Sequence, residues 1–489
     1  MNQKASEHLD AVRERPRGRT LGYTALVAVI VVGAGLFAWS RRGGGVVDRA
    51  REAHAEAKAR VHGTAAKPKA AEPSLAERLA ALHVPRPKAI RGLYLNAWAA
   101  GSPRKLAKLI DIADRTEVNT FVVDVKEGGF ISYRSQVPVA KELGLDSAYI
   151  RDIRGVLKKL KAHGIYPIAR IVCFKDPVLA EKRPEWAIHR QDGALWADAK
   201  GKHWVDSYNR RVWDYNIAIA KEALELGFAE VQWDYVRFPD VTASVRKTMV
   251  YPAAQGRTRE DAIREFLLYS RKELAPYGVP VTADVFGLTV TAIDDMGIGQ
   301  RWEKLTTAAD VLLPMVYPSH YFRGNYGLAY PNAVPYKTVY NAMSEALRRT
   351  KAAGGTAQIR PWLQDFTLGP PHYGPSEVRA QIQAVYDNGL DEWILWNPGS
   401  NYNVAALEPA PAAGGEGKLA TAPAAAAPGA AAASARVVSD AAAPPGGGLR
   451  QAPLPEPGAP TSTGLDARLL GTPVPVSMPG RPDSVPTRR

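Results

Sequence analysis

Val-Gln-Trp-Asp-Tyr-Val-Arg-Phe-Pro at 231–239 places an acid, Asp234, near the end of an apolar run rich in strand-forming residues. Fifty residues on, Val-Thr-Ala-Asp-Val-Phe-Gly at 281–287 repeats the arrangement around Asp284. Side chains of a strand alternate between two faces, so Gln232 shares the face of Asp234, and Thr282 that of Asp284. A carboxylate at the carboxyl end of a barrel strand faces the mouth where (β/α)8 enzymes carry their chemistry. Two such acids on consecutive strands predict attack on a glycosidic bond, which needs one carboxylate ionised and one protonated. Asp234 is expected as nucleophile or charge stabiliser and Asp284 as proton donor, with the reversed assignment open. The competing reading of each acid is a buried ion pair with Arg237 or Lys126.

Working outward, short apolar runs recur near 91–97, 119–125, 166–173, 229–236, 279–285, 310–317, 357–364 and 391–397. Between them, near 103–116, 151–163, 208–227, 259–275, 299–308, 334–353 and 376–389, apolar residues return every three or four positions, as on a helix packed by one face. Ala162-His163-Gly164, Leu226-Gly227 and Asn388-Gly389 supply helix stops. Eight strand–helix units in about 310 residues predict an α/β fold of the (β/α)8 TIM-barrel class. The alternative, a doubly wound open sheet, lacks its Gly-x-Gly-x-x-Gly after the first strand, where LNAWAAGSP stands. Long connections after the third strand (174–207) and the fourth (237–258) leave the end that carries function.

Further residues are expected around the acids. Asp124 and Lys126 end the second strand on one face, where they either hold substrate hydroxyls or form a structural salt bridge. Arg170 and Asp176 belong to the third strand and its exit, and Arg237 follows Asp234. Tyr317 and His320 end the sixth strand, and Gln364, Asp365 and Asn397 end the seventh and eighth. Trp98, Trp362 and Trp396 at strand ends offer flat apolar faces with a polar edge, the shape complement of a pyranose. The other reading for these rings, and for a lone histidine, is packing.

The formal charge of +14 is unevenly spread: residues 1–90 carry about +8, 401–489 about +1 and the core about +5. Nucleic-acid binding is therefore not expected. Leu21 to Trp39 is an uncharged run that would reach nearly 30 Å as a helix, enough to cross a bilayer. Arginines 13, 15, 17 and 19 precede it, so residues 1–20 are expected in the cytoplasm, 21–39 in the lipid bilayer as a signal anchor, and the barrel on the periplasmic or extracytoplasmic side of the inner membrane. A cleaved signal peptide is the alternative. Residues 40–89 read as a linker, 90–405 as the barrel, and 406–489, mostly Ala, Pro and Gly, as a disordered tail. The one cysteine, Cys173, excludes an internal disulfide framework. No metal or cofactor is expected, because the histidines show no zinc spacing and neither a P-loop nor a Gly-x-Ser-x-Gly elbow occurs.

KEGG at 126–129, WDYVRFP at 233–239, TADVFG at 282–287, LPMVYPSHY at 313–321, RPWLQDF at 360–366 and LWNPGSNY at 395–402 together resemble a bacterial family described as a "putative glycosyl hydrolase domain". The resemblance covers about 90–402 and implies a (β/α)8 barrel with amylase-like relatives. In those relatives an acid ending strand four is the nucleophile and an acid ending strand five the proton donor, which carries over to Asp234 and Asp284. The relatives' donor is usually Glu, so Asp284 stands one methylene shorter. The expectation is a membrane-anchored, exported glycoside hydrolase acting on a polysaccharide or oligosaccharide. The alternative is a non-catalytic glycan-binding barrel serving as an envelope scaffold.

Overall fold

The computed structural model describes residues 73–410. The basic segment, the apolar run at 21–39 and the tail from 411 onward lie outside the described residues. Among those described, no helix is long and apolar enough to cross a membrane.

All eight expected strands form: β1 (Arg91–Leu95), β2 (Thr120–Glu127), β3 (Tyr166–Val172), β4 (Glu230–Asp234), β5 (Val281–Phe286), β6 (Val311–Met315), β7 in two pieces (Gln358–Ile359 and Trp362–Gln364) and β8 (Trp393–Trp396). Neighbours in sequence are parallel neighbours in the sheet. β1 pairs with both β2 (Leu93 opposite Phe121) and β8 (Leu93 opposite Leu395), which closes the barrel. β7 is split because Arg360-Pro361 interrupts it, and proline has no N–H for the ladder.

Alternation sorts the side chains into two cores. One, with Trp233, Ala283, Val285 and Leu363, lies between strands and helices. The other, with Tyr94, Val122, Ile168, Leu313, Trp362 and Trp396, fills the barrel. Trp233 shows the outward parity expected of it: its indole donates to Ser270 Oγ at 2.8 Å on the covering helix. The barrel floor is polar, since Arg360 donates to Glu230 Oε1 at 2.6 Å and Glu392 Oε2 at 2.8 Å.

Among the helices are α1 (Leu75–Leu82), α2 (Pro103–Arg115), α3 (Ile153–Ala162), α4 (Arg210–Leu226), α5 (Arg259–Leu274), α6 (Trp302–Leu305), α7 (Pro335–Ala352) and α8 (Pro375–Tyr386). In α2, Ser102 caps the Lys105 N–H, Pro103 begins the helix, and Leu106, Leu109, Ile110 and Ala113 form its buried face. Gly164 and Gly389, at φ of +66° and +74°, take the left-handed turn that ends a helix. One expectation differs. The helix expected at 299–308 shrinks to α6, because Gly297 and Gly299 take positive φ and hold the preceding chain in a turn. At the start of α1, Ser74 forms a capping box with Glu77. His83, after α1, contacts the Leu224 carbonyl at 3.0 Å. At the other end Glu117 N–H donates to the Glu408 carbonyl.

The long connections after β3 and β4 meet as a two-stranded antiparallel patch, His189–Arg190 with Met249–Val250. Asp206 fixes the second to the first by accepting the Ala253 N–H at 2.9 Å. Trp204 from the first connection packs edge-on to Tyr235, the residue after Asp234. These connections thus cover the β4 side of the barrel mouth.

Candidate active site

β4 and β5 run in register, Gln232 opposite Thr282 and Trp233 opposite Ala283, so Asp234 and Asp284 follow at the same level on adjoining strands. Both are buried, at 7% and 1% exposure. They differ in what surrounds them. Arg170 donates from Nε (2.9 Å) and Nη2 (2.5 Å) to Asp234 Oδ2, and the Tyr235 N–H reaches Oδ1 at 2.5 Å. Such charge-assisted bonds are short and directional. Tyr235 takes a φ of +49° to make that turn.

Asp284 has only neutral donors. Its Oδ1 accepts from Gln232 Nε2 at 2.8 Å and Trp362 Nε1 at 2.7 Å, while Oδ2 is buried without a hydrogen-bond partner in the described residues. Burial first, and then the nearby charge of Asp234, hold its pKa well above the ordinary carboxylate value. With Oδ1 already accepting twice, Oδ2 is the oxygen left uncommitted among the described residues.

Arg170 also donates from Nη1 to Asp124 Oδ1 (2.5 Å) and Glu127 Oε2 (2.9 Å). Burial opposes its charge, and Asp124, Asp234 and Glu127 outweigh that effect and raise its pKa. Tyr94 O–H donates to Asp124 Oδ2 at 2.5 Å, and burial, partly offset by Arg170, pushes the Asp124 carboxyl up to about 6. Trp396 stacks on Tyr94 with ring centroids 3.9 Å apart, and the Arg170 guanidinium stands 5.3 Å from the Trp396 ring. The structure thus joins Asp124, Arg170, Gln232, Asp234, Asp284, Trp362 and Trp396 in one network. Two members outside the expected set, Tyr94 and Glu127, complete it. Tyr94 carried a usable signal, because its parity on β1 points a polar-tipped ring inward.

Lys126 is a correction. A register shift after Asp124 sets Lys126 opposite Ile171, a position facing the helices, instead of continuing the inward face. Its ammonium pairs with Asp176 at 2.7 Å and donates to the Val172 carbonyl and Asn216 Oδ1. Asp176 is engaged there too, capping the Leu179 N–H at 3.0 Å. The partner of Asp234 is likewise Arg170 and neither Arg237 nor Lys126.

The remaining expected residues surround this network. Tyr317 lies near enough for both acids to raise its pKa further after burial has done so. His320 packs against Tyr317 and Phe366, and burial lowers its pKa to about 4, so it is a neutral ring. Gln364 accepts from Ser319 N–H and Oγ, joining the loops after β6 and β7. Asn397 donates to the Asp365 carbonyl and orders the turn after β8 through Gly399 N–H. Trp98, on the short helix Ala97–Gly101 after β1, is 61% exposed. Arg237 lies among rings beside the acids. Among the described residues, no group of three His, Cys, Asp or Glu is placed to hold a metal ion.

A family model described as "Putative glycosyl hydrolase domain" matches residues 92–402, from β1 through the turn after β8. The chain belongs to that family. The enzyme class named in that description is the one expected from the two acids. Among solved structures, a hypothetical protein from Ruminiclostridium thermocellum ATCC 27405 is 40% identical over 42% of this chain and 98% of that one, with a TM-score of 0.37. The glycoside hydrolase domain of PgaB (BpsB) from Bordetella bronchiseptica is 12% identical over 64% of this chain and 95% of that one, with a TM-score of 0.46. That of PelA from Pseudomonas aeruginosa is 14% identical over 65% and 97%, with a TM-score of 0.38. No curated protein matches the chain.

Proposed function

We propose that this family member is an exported, membrane-anchored glycoside hydrolase that cleaves a polysaccharide with Asp284 as proton donor and Asp234 as the anionic partner. The carrying observation is the contrast between neighbours. Asp234 is gripped by a guanidinium, while Asp284 is buried among neutral donors with one oxygen uncommitted. A bond between sugars breaks when its bridging oxygen takes a proton and the opposite face of the developing oxocarbenium ion meets negative charge. Asp284 Oδ2 can give that proton, and Asp234 supplies the charge, either bonding to the anomeric carbon or stabilising it for water. Aromatic residues at the mouth suit a sugar ring. The anchor rests on the apolar run at 21–39 and its flanking arginines.

Full-length protein in mild detergent, incubated with a polysaccharide panel, is expected to release reducing ends. Asp234→Asn and Asp284→Asn should each slow release by roughly 10²–10⁴-fold. Binding with no ends released by the parent protein would leave only a glycan-holding scaffold. Protease added to intact spheroplasts should degrade the barrel if it lies outside the cytoplasm, and a protected barrel refutes the placement.

A further inference from the structure

Four cations gather near the acids, and two are committed: Arg170 to three carboxylates, Lys126 to Asp176. Arg237 is not. Only 3% exposed, it makes a single hydrogen bond among the described residues, from Nη1 to the Phe238 carbonyl at 3.0 Å. No carboxylate oxygen of the described residues lies within ion-pair distance, 4.0 Å, of its nitrogens. Three rings surround it instead, those of Phe286 (4.5 Å from guanidinium carbon to centroid), Tyr235 (4.8 Å) and Trp204 (5.2 Å). A guanidinium has five N–H donors, and none of the Arg237 nitrogens is among the fully buried polar atoms that lack a partner, so its uncommitted donors keep some solvent contact. The rings offer their faces to the charge but no acceptor for those hydrogens.

The position matters as much as the vacancy among its donors. Tyr235 follows Asp234 directly, and Phe286 stands two residues beyond Asp284, so Arg237 is bracketed by the strands that carry the two acids. Lys175 sits 5.0 Å from the Tyr235 ring, adding a second positive group on the same aromatic support. Asp240, Asp234 and Asp198 act on Arg237 from beyond ion-pair distance.

We infer that Arg237, supported by Lys175, binds the carboxylate of a uronic acid residue in the substrate, so that the polysaccharide cleaved is an acidic one. The planar fork of a guanidinium matches a carboxylate in two parallel bonds, and a neutral hydroxymethyl group cannot satisfy it. A site built around such a partner discriminates strongly against the analogue lacking it. The inference rests on the hydrolase reading for its catalytic readout alone; the binding readout stands apart from it.

Full-length protein would be assayed for cleavage and binding on polygalacturonate, alginate and hyaluronan, and on the same polymers after carboxyl reduction, which converts the carboxylate to a hydroxymethyl group. The parent protein should favour the charged forms by at least about tenfold. Arg237→Gln should erase that preference, Lys175→Gln weaken it, and Arg237→Lys retain part of it. Binding would be repeated on Asp284→Asn, which cannot donate the proton. Charge-selective binding lost in Arg237→Gln, with no cleavage by any form, keeps this inference and sinks the hydrolase. Cleavage indifferent to carboxyl reduction does the reverse. Equal loss on charged and reduced polymers in Arg237→Gln, or no binding to any acidic polymer, overturns the inference.

Discussion

Arg170 gives both Nε and Nη2 to one oxygen of Asp234, leaving Nη1 for Asp124 and Glu127. A planar fork can serve three carboxylates at fixed angles; an ammonium is a point charge with no such geometry. Arg170→Lys should therefore fold yet lose roughly 10²-fold in kcat, because Asp234 is no longer aimed. Arg170→Met leaves buried carboxylates unpaired and should cost about 3–5 kcal/mol in urea unfolding. Full activity in the Lys variant would show that Arg170 has no positioning role.

The basic limb of the pH–rate profile belongs to Asp284. The donor works only while protonated, and its pKa lies well above the ordinary carboxylate value, so kcat/KM should hold past the usual carboxylate range and fall as pH rises through that pKa. Trp362→Phe removes an N–H that favours the anion. The limb should then move to higher pH while kcat drops about 10-fold to 100-fold. A limb that stays put would assign the donor role elsewhere.

Asp124 links pH to stability with the opposite sign from a salt-bridged surface acid. Its folded pKa, about 6, exceeds the ordinary aspartate value, so the folded state holds the proton more tightly. Its stabilising contribution is present below the unfolded pKa and is lost as pH rises towards the folded one. That loss is roughly 3 kcal/mol between about pH 4 and pH 6. Asp124→Asn should flatten this part of the curve in urea titrations at stepped pH. An unchanged slope would rule out Asp124 as its source.

Parity and periodicity made most of the barrel legible. Alternation around Trp233 separates the inward Gln232 and Asp234 from the residues packed on α5, and the same count on β5 picks out Asp284. Cross-strand relations were less accessible. That Arg170 stands opposite Gln232 and clamps Asp234 depends on the stagger between β3 and β4, which neither strand encodes alone. Lys126 escaped because one bulge reverses the face of everything after it. The helix α1 has only eight residues in an Ala-rich stretch, and its one distinctive mark was Ser74 three places before Glu77.

Arg360 provides a control at the other end of the barrel. It is fully buried at the floor between Glu230 and Glu392, and Glu392 in turn accepts from Arg86 at 2.6 Å and the Ile90 N–H. Nothing there reaches the mouth. Arg360→Met leaves Glu230, whose pKa burial already raises, buried and unpaired, which should cost about 3–5 kcal/mol, while kcat of the folded fraction stays within about twofold. Adding Glu230→Gln removes the stranded acid, so the double variant should recover much of the lost stability. Urea unfolding and active-site-normalised rates on the same preparations check both halves. A fall in kcat without a fall in stability would mean that the floor speaks to the acids, and the separation of structural from catalytic ion pairs would fail.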